Sequence, residues 1–395
     1  MFNLILNENK KLIKNRIVQG IIFLYCVLFI YFAVDIIFLT HMGYDKKDGE
    51  QKIYTGLEAI EWEKEQCKAF DGKIVNADFL AEAEKMFGFD YIVCHAEIYF
   101  IYNSFIDRTP FGTVYDPVSG TATIGEVIEG FKEIEDVIPA ASSPALYRYS
   151  GAYEALFQKL GFVGILSVVS ALIISALVFS QEYTLDTDVL LLTSKFGRRR
   201  LAIAKSISGI SVSVGLFLLF TLISALLCFA CYGFSGADGD IRLSLIRNCN
   251  HKVLENLSIF GNSVSNIEFL GFAFLVFFSA VLIVSSITLL ISALSYGSFS
   301  ALSISAGVFI LPFAVRAIIN TYEYITAFSK LHSIFALFPV ILIADWNKNL
   351  WWEINYEIYG KLYPYAVIFP IIALIFTALF FFCSIFVYSK RKLKS

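Results

Sequence analysis

The chain is expected to be an all-α polytopic membrane protein with six transmembrane helices and a mainly helical extracellular domain (α or α+β) between spans one and two. Three observations predict this. The run from Ile17 to Met42, IVQGIIFLYCVLFIYFAVDIIFLTHM, is 26 residues long and holds one charge, Asp35. About 20 apolar residues suffice for a helix to cross the hydrocarbon core of a bilayer, and five further runs of the same kind follow. Only 16% of the residues are charged and 57% are hydrophobic, whereas a soluble domain carries about 25% charged residues. The 39 Phe and 21 Tyr suit rings that face lipid or sit at headgroup level.

Residues 1–16 start apolar (MFNLIL) and turn basic. They read either as a short helix lying on the inner leaflet or as an ordinary basic flank. Span one, 17–41, is expected to stay as an anchor. Its apolar core exceeds the roughly 7–15 residues of a signal-peptide core, and no small-x-small site closes it. The remaining spans read as 160–180, 207–234, 268–294, 299–320 and 364–388.

Residues 42–159 form the one sizeable water-exposed segment. Positions 43–158 carry 21 acidic and ten basic residues, a net charge of −11 in a chain of net −3. That length supports one small domain with its own core. Apolar spacing of three or four predicts helices over 54–70, 77–87 and 122–138. Residues 91–102 suit either helix or strand, and 109–120 reads as a turn-rich loop. The stretch PALYRYSGAYEALFQKL is expected to run as a helix into span two. A second external loop, 235–267, is polar and expected to hold little structure. In the third, 321–363, the apolar stretch 331–344 is too short to span and reads as a re-entrant or interfacial segment. Trp346, Trp351 and Trp352 follow it and suit the headgroup belt. No repeat appears, and spans one to three do not match spans four to six, so an inverted-repeat carrier is not supported.

Orientation follows from Lys and Arg in short flanks. The N-terminal flank, the link between spans two and three, and the tail after span six (390–395) together hold 13 basic residues against four acidic ones. All three lie on one side of a six-span scheme, so both termini are expected in the cytoplasm of a multi-pass plasma-membrane protein, with membrane lipid as its solvent.

Candidate chemistry is sparse. The four histidines are scattered, and no Cys or His spacing resembles a metal site. Cys67 and Cys94 lie in the external domain and are placed either to pair or to remain thiols. No metalloprotease helix, nucleophile elbow or intramembrane carboxylate cluster occurs, which disfavours a membrane-embedded enzyme. A proton-coupled carrier is disfavoured for the same reason. Nothing marks a nucleic-acid site. Two charges sit within spans, Asp35 and Arg316, both near the external side. They form either a pair lining a translocation path or gate, or two side chains that each reach the interface.

The most specific stretch is QEYTLDTDVLLLTSKFGRRRLAIAK, Gln181 to Lys205. An acidic residue closes span two, a short amphipathic segment follows, and arginines lead into span three. On residue type alone this is a basic inward loop or a short helix along the membrane face. Glu182, Thr187, the Leu191–Leu192–Thr193–Ser194 run, Gly197–Arg198 and Lys205 resemble the signature between spans two and three of ABC-2-type transporter permeases, and the resemblance implies that these residues, with Arg199, couple the chain to an ATPase. Two positions depart from that pattern: Asp186 stands where a glycine is usual, and Ser194 where a proline is usual. The resemblance implies a membrane-spanning subunit whose loop 181–206 docks on a separate ATPase dimer, with a second permease subunit, identical or related, completing the complex. It also implies export, with an amphipathic peptide, drug or lipid-like cargo. ATP and Mg would be bound by the partner ATPase. In this chain Gly-Lys occurs only at Gly72–Lys73 and Gly360–Lys361, followed by Ile74 and Leu362 rather than the Ser or Thr of a P-loop. The other reading is a receptor or sensor whose external domain binds a ligand. It explains residues 43–158 but gives six spans little to do.

Overall fold

The structure is a computed structural model, and it describes residues 1–39, 42–47, 50–87, 106–108, 113–115, 122–124, 129–131, 145–184, 198–245, 264–321, 339, 355–358 and 361–390. In chain order these form α1 (Phe2–Ile13), α2 (Arg16–Val34) with a π-helical turn (Asp35–Leu39), β1 (Met42–Lys47), β2 (Glu50–Thr55), α3 (Gly56–Lys68) and α4 (Ala77–Phe87). Four short strands follow: β3 (Ile106–Arg108), β4 (Thr113–Tyr115), β5 (Ala122–Ile124) and β6 (Glu129–Phe131). Then come α5 (Gly151–Thr184), α6 (Arg198–Tyr232), α7 (Ile241–Leu245), α8 (Asn266–Leu294) and α9 (Ser298–Thr321), and last β7 (Asn355–Ile358), β8 (Lys361–Pro364) and α10 (Tyr365–Lys390).

The chain divides into two compact units. One comprises Met1–Ala33, Leu156–Leu227 and Leu270–Ser395; the other comprises Val34–Ala155 and Cys228–Phe269.

In the first unit the long helices are apolar nearly all round, the composition of a membrane span rather than of a surface helix. Five helices among the described residues are long and apolar enough to cross a membrane: Arg16–Leu39, Gly151–Thr184, Arg199–Tyr232, Asn266–Leu294 and Tyr365–Lys390. The sixth expected span falls on α9, whose apolar stretch, Ser298–Pro312, is shorter. Pro312 lies inside this helix and withholds one backbone donor.

Helices α5 and α8 form the centre. Their most apolar stretches are 67% and 61% buried, against 22%, 28% and 17% for α2, α6 and α10. Such central helices associate through small residues that admit close approach. Gly164 of α5 is one: a Cβ there would stand 2.2 Å from the Phe277 ring of α8. Further along, the backbone of Phe179 and Ser180 meets Ser292. The two helices therefore run side by side in the same direction. On the other flank of α5, the Tyr25 and Ser167 hydroxyls of α2 and α5 hydrogen bond at 2.7 Å, and the Tyr25 ring stacks on Phe220 of α6.

The second unit combines hairpins with short helices. Strands β1 and β2 pair antiparallel from Met42↔Thr55 to Lys47↔Glu50, with Asp48–Gly49 between them. Strands β3 and β6 pair antiparallel, and so do β4 and β5, which lie between them in sequence. The turn from β2 into α3 needs glycine. Gly56 has φ +61°, and a Cβ would meet the Ile37 carbonyl oxygen, a position closed to other residues. Asn76 caps α4 by accepting from the Phe79 N–H at 2.9 Å. Ser265 and Glu268 cap α8 reciprocally: the Ser265 N–H donates to Glu268 Oε2 at 2.9 Å, and the Glu268 N–H donates to Ser265 Oγ at 3.4 Å. Arg148 bridges Asp71 and Asp238 at 3.3 Å each. Buried Asp240 and Arg242 form a forked pair through Arg242 Nε and Nη2.

Several expectations are corrected. Residues 122–138, read as helix, contain strands β5 and β6. Gly125 and Gly130 weaken a helix there, and β-branched Thr121, Thr123 and Ile124 favour extended pairing. The expected loop 109–120 contains β4. Residues 145–150 are extended rather than helical; Ala145, Tyr147 and Tyr149 are buried while Leu146 and Arg148 are half-exposed, the alternation of a strand. Tyr147 exchanges backbone bonds there with Lys73 and Gly72. The second loop is not bare either: it holds α7 and a bridge between Asp240 and Ser265. The expected helices at 54–70 and 77–87 match α3 and α4. The stretches 91–102 and 331–344 lie outside the described residues apart from Pro339.

Candidate functional site

The last turn of α5 and the second turn of α6 bring two charges together inside apolar surroundings. Glu182 is 1% exposed and Lys205 2%. Their Oε1 and Nζ atoms are 2.5 Å apart. Lys205 also meets Glu8 Oε2 of α1 at 3.1 Å and donates to the Val178 carbonyl at 3.4 Å. Lys11 of α1, itself exposed, reaches Glu182 Oε1 at 3.3 Å. The Tyr388 hydroxyl of α10 donates to Glu182 Oε2 at 3.1 Å, and the Tyr388 ring packs on Phe179. Four helices, α1, α5, α6 and α10, thus meet on one carboxylate.

Helix α1 is seated by more than charge. Leu12 is buried. The Ser208 and Ser211 hydroxyls of α6 donate to the Ile5 carbonyl and to Asn9 Oδ1, both at 3.2 Å, and Asn15 Nδ2 donates to Gln181 Oε1 at 3.2 Å. Its far side exposes Phe2, Leu6 and Ile13 with Lys10 and Lys14. Phe2–Ile13 of the N-terminal segment is helical.

Two carboxylates and two ammonium groups share this junction, so its formal charge balances. A buried pair adds little net stability against an apolar replacement, but removing one partner strands the other in low dielectric. The junction therefore acts as a joint: α1 and α6 cannot slide along α5 without separating opposite charges. Nothing in it is arranged for bond-breaking chemistry.

A hydroxyl network lies beside the joint. Ser292 of α8 donates to the Ala176 carbonyl at 2.7 Å and accepts from the Phe179 and Ser180 N–H groups at 3.2 and 3.1 Å. A side chain inserted in a helix's own ladder is a recognised cause of bending. At the end of α5, the Thr184 hydroxyl meets the Ser298 hydroxyl and accepts from the Ser298 N–H, both at 3.1 Å, capping α9.

Sequence reasoning singled out Glu182 and Lys205 as parts of a loop. Both stand on helices, because α5 continues through Thr184 and α6 begins at Arg198; the part of the expected loop 181–206 between these helices, residues 185–197, lies outside the described residues. Arg198 opens α6, and Arg199 and Arg200 are exposed there. Thr187, Leu191, Leu192 and Gly197 lie outside the described residues. Asp35 opens the π-helical turn after α2, where it interacts electrostatically with Tyr232, as do Glu63 and Glu154. Arg316 lies on α9, but its side chain falls outside the described residues, and with it the expected pairing. Cys67 is buried on α3; Cys94 is outside the described residues. Glu8, Lys11 and Tyr388 were missed. Glu8 carried a signal, as the one acidic residue in a basic flank; Tyr388 is one tyrosine among 21.

A profile of the family described as "ABC-2 family transporter protein" matches residues 2–393, nearly the whole chain. Neither a curated protein nor a solved structure matches it.

Proposed function

Because the chain belongs to the ABC-2 transporter family, we propose that it is the membrane-spanning permease subunit of an ABC-2-type exporter, driven by a separate ATPase dimer that binds ATP and Mg. In this reading α9 completes a set of six spans, both termini are cytoplasmic, and the acidic unit after span one is extracellular. A second permease subunit, identical or related, completes the complex. The cargo is amphipathic: a peptide, a drug or a lipid-like molecule.

The observation that carries the coupling role is the joint at Glu182. The segment between α5 and α6 is the contact surface for the ATPase, through Thr187, Leu191, Leu192, Gly197, Arg198 and Arg199. A push on that segment reaches both helices at once, because Glu182 and Lys205 tie their ends 2.5 Å apart. The same carboxylate passes the displacement to α1 and α10 through Lys11 and Tyr388. Exposed Arg199 and Arg200 offer fixed positive charge to an acidic partner surface.

Purification of the tagged chain from its native membrane in a mild detergent tests this. A P-loop ATPase is expected to co-elute in stoichiometric amount, and charge reversal at Arg199 is expected to release it. Absence of any ATPase from the intact complex would overturn the reading.

A further inference from the structure

Helix α1 lies across two long helices rather than along one. Its residues Ile5, Glu8 and Asn9 meet Ser208, Lys205 and Ser211 of α6. In the next turns, Lys11 and Asn15 meet Glu182 and Gln181 at the end of α5. Only Lys14 and Asn15 separate α1 from α2, itself long and apolar enough to span.

The crossing point sets the depth of α1. Helix α6 has 35 residues. At 1.5 Å per residue it is about 52 Å long, against about 30 Å of hydrocarbon. Centred in the core, it projects by about two turns at each end. Lys205, in its second turn, then stands at the boundary, and Ser208 and Ser211 lie just inside. Helix α1 therefore crosses at the edge of the hydrocarbon, the depth of a helix lying in the membrane interface.

The face that α1 turns away from the protein fits that place. Phe2, Leu6 and Ile13 are exposed and fall within about 40° of one another around the helix at 3.6 residues per turn. Exposed Lys10 and Lys14 border this stripe on the side away from Ile5 and Leu12. Apolar residues beside lysines at headgroup depth match the acyl edge and the phosphates of an anionic leaflet. A protein partner would have to enter the bilayer edge to reach Phe2 and Leu6. We propose that α1 is an anionic-lipid-binding element: Phe2, Leu6 and Ile13 enter the acyl boundary of the leaflet where α5 ends, and Lys10 and Lys14 hold lipid phosphates. The inference needs the long helices to span a bilayer and does not rest on the ATPase reading.

Photo-crosslinking of the full-length chain, with benzoylphenylalanine at Leu6, tests it. In native membranes the adducts are expected to carry the mass of one lipid, as they do from Leu219 of α6, 50% exposed near mid-span. A crosslinked pair of chains, a crosslink to another protein, or no adduct at Leu6 overturns the proposal. The purified chain is then placed in nanodiscs of equal phosphatidylcholine and phosphatidylglycerol. Each lysine at an anionic surface is worth about fivefold in affinity, so Leu6 adducts are expected to be severalfold richer in phosphatidylglycerol than Leu219 adducts. Free phosphate held by the lysines produces no such enrichment. Lys10→Gln combined with Lys14→Gln alters two exposed side chains outside the Glu182 joint and is expected to cut the enrichment by more than half. Equal lipid composition at Leu6 and Leu219 overturns the proposal, as does an enrichment that the double variant leaves unchanged. The lipid ratio with both lysines present decides the matter even if the double variant fails to fold.

Discussion

Replacing Glu182 with glutamine keeps the shape of the side chain and removes its charge. Lys205, 2% exposed, then loses a carboxylate at 2.5 Å and keeps Glu8 at 3.1 Å. Breaking a buried pair from one side costs about 3–5 kcal/mol. The lower end applies, because Glu8 remains and the amide oxygen still accepts from Tyr388. On the scale of roughly 2–4 °C per kcal/mol for units of 150–250 residues, Glu182→Gln is expected to lower the apparent melting temperature by about 6–12 °C. Lys205→Met alone strands Glu182 and is expected to cost a similar amount. Combined, the two substitutions remove both charges together, and well-packed neutral replacements of a buried pair are close to neutral. The double variant is therefore expected to recover most of the loss, with a coupling energy of about 2 kcal/mol or more. Tryptophan fluorescence during a heating ramp in detergent reads all three variants, compared at one scan rate because unfolding of such proteins is commonly irreversible. If Glu182→Gln stays within a degree of the parent, or the double variant loses the sum of the singles, the joint does not exist as described.

Gly164→Ala drives a methyl group into the Phe277 ring, where a Cβ stands at 2.2 Å; a loss of about 1–3 kcal/mol is expected in the same assay, with partial rescue by Phe277→Leu. Gly56→Ala imposes φ +61° on a residue with a Cβ and presses it onto the Ile37 carbonyl, so faster limited proteolysis between β2 and α3 is expected, at a cost of about 1–3 kcal/mol. Ser292→Ala removes the hydroxyl that bonds Ala176, Phe179 and Ser180 and is expected to destabilise by about 1–3 kcal/mol. Equal stability would mean that α5 closes its own ladder there.

The membrane helices were legible because length and apolar composition alone specify them. Their ends were less so: the polar residues Gln181, Glu182 and Thr184 read as loop, yet they stay helical because α1, α6, α9 and α10 supply their partners. Helices α3 and α4 were legible from spacing. The hairpins were not, although Asp48–Gly49 between Lys47 and Glu50 is a strong two-residue turn signal; glycines and short β-branched runs at 121–130 were outweighed there by apolar residues spaced three or four apart, as in a helix. The charge joint was half legible. Glu182 and Lys205 stood out by position, but pairing depends on which helices are neighbours, and that is set by glycine and serine contacts such as Gly164 on Phe277 rather than by any local pattern.

The most direct measurement places a photo-crosslinking residue at Leu191 or Leu192, in intact cells and in purified membranes supplied with ATP. The account predicts a crosslink to a P-loop ATPase whose yield changes with nucleotide, and no access to a membrane-impermeant label from outside the cell. Labelling from outside at these positions, or ATP hydrolysis by the purified chain alone, would contradict it.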